Sequence, residues 1–113
     1  MEDPLVAFAG PPVPHAALEI RVNFGIVAGR EATAAEIDAL ARSLLVHVPS
    51  VSIVAEQRYE VATGHEATVH QVRIEVAEAD LPPEGERDAT TRRLVEEAGR
   101  WAEERAAERR AQV

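Results

Sequence analysis

Residues 51–76 read VSIVAEQRYEVATGHEATVHQVRIEV, two alternating runs separated by Thr63-Gly64. Val51, Ile53, Ala55 and Tyr59 fall on alternate positions of the first run, interrupted only by Gln57, as do Val72, Ile74 and Val76 in the second. A period of two places one set of side chains on a buried face and the other on an open one. Folding the segment about Thr63-Gly64 sets Val51 opposite Val76, Ile53 opposite Ile74 and Ala55 opposite Val72. Gln57 then meets His70, and Tyr59 meets Thr68. Both runs bring their apolar residues to the same side in that register, and a slip of one residue would invert one of them. Thr-Gly is not a favoured pair for a two-residue turn, so a glycine bulge with a slightly longer loop is an alternative.

Upstream, Leu18, Ile20, Val22, Phe24 and Ile26 alternate with Glu19, Arg21 and Asn23, which predicts a first strand over about 17–27. Gly25 and Gly29 flank its exit. Thr33-Ala34-Ala35-Glu36 is a reciprocal capping box. Ile37, Leu40, Ala41, Leu44 and Val48 follow at helical spacing, with Leu45 broadening the stripe, until Pro49 stops the helix. Beyond the hairpin, Leu81-Pro82-Pro83-Glu84-Gly85 breaks the sheet. Residues from about 87 to 112 form a long helix with Leu94, Val95, Ala98, Trp101, Ala102 and Ala106 on its apolar stripe. Trp101, the only tryptophan, is expected to anchor that helix to the sheet.

The order is therefore β-α-β-β-α, an α+β chain. A right-handed crossover makes the first two strands parallel, and placing the third strand between them puts both helices on one face of a three-stranded sheet. This topology resembles the ferredoxin-like, split β-α-β plait without its fourth strand, a superfold that hosts many unrelated functions. Residues 1–15 carry Pro4, Pro11, Pro12 and Pro14 and are expected to be a flexible arm; residues 16–113 form a single domain. The first strand is left as a long apolar edge, which the arm or a second subunit would cover. The C-terminal helix also overhangs so small a sheet, and both features point to a homo-oligomer, most simply a dimer.

Composition narrows the chemistry. The net charge of −8 disfavours nucleic acid and anionic membranes, which need a basic footprint. The Arg-rich C-terminal end is interleaved with Glu103, Glu104 and Glu108, so residues 87–113 hold seven Arg against six acids. No apolar run approaches the roughly 18 residues of a membrane span, and the acidic start Met1-Glu2-Asp3-Pro4 is unlike a secretory signal. A bacterial cytoplasmic location is the expectation. The chain has no cysteine, which excludes disulfides, thiolate nucleophiles and cysteine-ligated metals. It also has no lysine: all twelve basic side chains are Arg. That removes Schiff-base chemistry and the P-loop lysine.

Among candidate sites, His65, Glu66 and His70 lie near the hairpin tip, but alternate strand positions point 65 and 70 to opposite faces, so no metal site is assigned. Gly25–Gly29 lacks the spacing of a phosphate-binding loop, and no cofactor is expected. Gln57, Tyr59 and His70 form a polar trio at the end of the aliphatic face. They read either as a hydrogen-bonded rim or as a ligand pocket with His70 as acid or base. Arg21, Asn23, Glu56, Arg58, Arg73 and Glu75 occupy the open sheet face, a surface for docking another protein or a second copy. With no triad and no carboxylate pair of defined spacing, the leading expectation is a non-enzymatic, homo-oligomeric interaction or regulatory module. The alternative is a small enzyme or ligand-binding protein built on Gln57, Tyr59 and His70.

Overall fold

The computed structural model describes residues 6–10 and 17–111. Seven principal elements follow in order: β1 (Val6–Gly10), β2 (Leu18–Val22), α1 (Phe24–Ala28), α2 (Ala34–Leu44), β3 (Ser52–Ala62), β4 (His65–Val76) and α3 (Glu84–Ala111). A short 3-10 turn, Glu78–Asp80, joins β4 to α3. The strands form one four-stranded sheet of order β1-β2-β4-β3, every neighbouring pair antiparallel.

The hairpin register is the one the alternation predicts. Ile53 pairs with Ile74, Ala55 with Val72, Gln57 with His70 and Tyr59 with Thr68. Ala62 faces His65, so Thr63 and Gly64 alone make the turn. Gly64 has φ of 75°, the left-handed region that a side chain resists and glycine adopts freely. β4 also pairs along β2, Ile20 with Ile74 and Val22 with Val72. The third strand of the hairpin reading thus does sit between the other two.

Two expectations need correction. The sheet has four strands rather than three, because Val6–Gly10 lies antiparallel along β2. Part of the proline-rich arm is thus a strand satisfying the edge that β2 would otherwise expose. The rest of the arm, residues 1–5 and 11–15, lies outside the described residues, as does residue 16. The first strand is also shorter than its alternation suggests: it ends at Val22, and Phe24–Ala28 is helical. Phe24 keeps its inward position by a different route. It is fully buried, with its ring centroid 5.2 Å from that of Trp101.

The core lies between the sheet and the helices. Leu18, Ile20, Val22, Val72, Ile74 and Val76 supply the sheet side, and Leu40, Leu44, Leu94, Ala98, Trp101 and Ala102 the helix side. Burying each large aliphatic side chain contributes about 1.5–3 kcal/mol, whereas exposed helical ion pairs such as Arg42–Asp38 contribute only tenths. The apolar ladders therefore decide the fold. α3 runs over β1 and β2, α1 sits over β4 and against α3, and α2 packs beside α3. The capping box at Thr33 is formed in full. Val48 is buried as expected, but from the turn after α2 rather than from the helix itself.

Candidate functional site

β3 is an edge strand, and its far side pairs with nothing among the described residues. Eleven residues long, it offers a continuous row of backbone donors and acceptors, the feature through which sheets join other chains. Beside it runs an apolar groove of about 530 Å³. One wall is Ala32, Ala34, Ile37, Asp38 and Ala41; the other is Val51, Ile53 and Ala55.

The groove follows from side-chain size. Ala41 and Ala55 stand on opposite walls, and neither methyl group is large enough to close the space between α2 and β3. α2 is held instead toward α3, where the Trp101 indole Nε1 donates to the Glu36 carbonyl at 2.9 Å. Farther along the same strand, Tyr59 and Val61 are both 74% exposed. Edge, groove and exposed apolar residues are thus contiguous on one border of the sheet.

The helix-free face is a different kind of surface. Glu19 pairs laterally with Glu75, and Arg21 with Arg73, an arrangement that sets like charges opposite one another. Compensation runs along and across the strands instead. Arg21 donates from Nε to Glu19 Oε2 at 3.1 Å. Arg73 lies 3.6–3.8 Å from Glu19, Glu56 and Glu75. Gln71 donates to Asn23 Oδ1 at 3.0 Å. Arg21, Glu56, Arg73 and Glu75 thus belong to one network, with the Asn23–Gln71 hydrogen bond on the same face, while the Arg58 side chain lies outside the described residues. The network centres on Glu19, whose side chain is 1% exposed. Period-two reading places Glu19 on this face, but nothing in the sequence marks it as the most enclosed carboxylate there.

Gln57, Tyr59 and His70 are brought near one another only in part. Gln57 faces His70 across the ladder, and Tyr59 faces Thr68. Gln57 and Tyr59 are exposed, whereas His70 is half-buried, and its Nδ1 is enclosed without a hydrogen-bond partner. None of the three lines the groove. α1 lies over His70: a Cβ added at Gly25 would come within 3.3 Å of the His70 backbone nitrogen.

A second polar cluster joins the entry of α2 to the end of α3. Arg30 holds both oxygens of Glu36 at 2.8 Å. Its guanidinium lies 5.7 Å from the centre of the Phe24 ring, within cation–π range. Arg105 approaches the same carboxylate at 3.9 Å and donates to Glu108 at 2.9 Å. The Arg30 guanidinium, then the Thr33 backbone N–H, hold the Glu36 carboxyl at about 2 against the opposing effect of burial. With the arginines occupied by carboxylates, this cluster fastens helices together. Among the described residues no group of three or more histidine or acidic side chains is placed to hold a metal ion, and no helix is long and apolar enough to cross a membrane.

Comparison with protein-family models, with curated proteins and with solved structures finds no match to this chain.

Proposed function

We propose that this chain is a non-enzymatic, homo-oligomeric interaction module that works through its sheet border. The observation that carries this reading is the union of an unpaired eleven-residue edge with the apolar groove between α2 and β3. Monomeric domains blunt such edges with charge, proline or bulges. Here β3 has no proline and an unbroken register, and its charges, Glu56, Arg58 and Glu60, are of both signs and alternate with the exposed apolar pair Tyr59 and Val61. A dimer is the simplest assembly, because one self-complementary border closes a two-fold contact in which both copies of β3 are paired.

The strand order also supports a ferredoxin-like plait in which the N-terminal β1 takes the border place beside β2 that a C-terminal strand fills in the usual chain order. A cytoplasmic setting accords with the cysteine-free composition. Sedimentation equilibrium from low to high micromolar concentration tests the reading. The expected result is a concentration-dependent mass reaching twice that of the chain. A single-chain mass throughout would overturn it.

A further inference from the structure

We infer that two copies join through their β3 strands, antiparallel and centred on Gln57, with Tyr59 of each chain seated in the groove of the other. The inference rests on the self-association reading and adds its register and contacts.

Gln57 is the midpoint of Ser52–Ala62, so a two-fold axis there engages the whole strand. Pairing about Gln57 sets Glu56 opposite the partner's Arg58, and Arg58 opposite the partner's Glu56, a complementary charge pair made twice. Axes at Glu56 or Arg58 would instead set like charges face to face, which antiparallel ladders disfavour. The chosen register also keeps faces matched, because odd-numbered residues meet odd-numbered ones. Tyr59 falls opposite the partner's Ala55, and Val61 opposite the partner's Ile53.

Those apolar pairs explain the groove. Ile53 and Ala55 form part of its β3 wall, with Ile37 and Ala41 across from them. A tyrosine delivered beside Ala55 enters the space that two alanines leave open. Tyr59 and Val61, each 74% exposed, are thereby covered in both chains. A tyrosine buries about 150–250 Å² in such a setting, and its hydroxyl can stay at the wet rim. Exposed side chain and empty groove are thus two halves of one contact.

Charge exchange tests the register in the full chain. Glu56→Arg and Arg58→Glu, each alone, place like charges at both symmetry-related pairs and are expected to weaken self-association about tenfold. Mixing the two variants restores opposite charges at every pair, so a heterodimer of near wild-type affinity is expected. Because the chain has no cysteine, Gln57→Cys gives a second reading. It should form an intermolecular disulfide readily, whereas Ser52→Cys, which faces Ala62 of the other chain, should not. Circular dichroism of each variant checks that the fold is retained.

A dimer in which mixing gives no rescue and Gln57→Cys crosslinks no better than Ser52→Cys would overturn this register while leaving self-association intact. Wild-type protein that stays monomeric would overturn both and leave the edge to a strand from a different protein.

Discussion

The Trp101 indole reaches across from α3 to the Glu36 carbonyl, 2.9 Å away, tying the longest helix to the first turn of α2. Trp101 is 4% exposed and packs on Phe24, so one side chain joins all three helices. Trp101→Phe removes the donor and part of the ring and is expected to cost about 1–3 kcal/mol; Trp101→Ala should cost about 3–5 kcal/mol. Urea unfolding followed by circular dichroism measures both, and a loss below about 0.5 kcal/mol for Trp101→Ala would contradict the anchoring role.

Glu36 predicts a specific acid response. Its carboxyl pKa is drawn from 4.5 to about 2, first by the Arg30 guanidinium. The folded value lies below the unfolded one, so the contribution is complete above the ordinary carboxylate pKa. It is lost as pH falls through about 2. Glu36→Gln should therefore lower the melting temperature at neutral pH, and the gap to wild type should narrow steadily as the solution is acidified. Glutamine can still fill the third position of the capping box, so the loss at neutral pH is that of the Arg30 ion pair, expected to be about 0.5–1 kcal/mol. A gap that held constant down to strongly acidic pH would sink this assignment.

Gly25 separates two opposing effects. Alanine improves helix propensity by about 1 kcal/mol, but here its Cβ would press on the His70 backbone nitrogen at 3.3 Å. Backbone in a paired strand cannot swing aside as a side-chain tip can, so strain of about 1–3 kcal/mol is expected to win. Gly85→Ala is the control, because an added Cβ there meets nothing within 4 Å. Thermal denaturation should show Gly25→Ala melting lower than wild type and Gly85→Ala level or higher.

Filling the groove from within should uncouple stability from association. Ala41→Leu extends a side chain toward Ile53 and Ala55 across the open space. The expected outcome is a monomer at least as stable as wild type, within about 1 kcal/mol, with clearly weaker self-association by sedimentation. Unchanged association would show that the groove is not occupied in the assembly.

The alternation of Ile53, Ala55, Val72, Ile74 and Val76 carried the hairpin register, because a half-buried sheet writes its facing directly into sequence. The capping residues Thr33 and Glu36 were equally legible, being a local hydrogen-bonded pair. Phe24–Ala28 was not. Its residues continue the period of β2, and a five-residue helix has too little intrinsic stability to leave its own pattern; packing of Phe24 on Trp101 decides it. β1 was hidden among prolines, since its reason for being extended is the β2 edge and not its own composition. The polar face showed its charges but not that Glu19 would be enclosed, which depends on how neighbouring strands crowd it. The groove was invisible for a related reason: sequence shows small residues, while an empty volume depends on how far α2 stands from β3.

The ladders of this sheet also close over very different stretches of chain. β1 folds onto β2, and β3 onto β4, between near neighbours in sequence, whereas the central seam must bring Leu18 to Val76. Closing a long loop costs entropy before any contact rewards it. Two hairpins can thus zip early as separate pieces, and the molecule becomes whole only when the seam between them is drawn shut. During synthesis that moment waits for Val76 to emerge, with the 28 residues of α3 still to arrive and lock the seam in place.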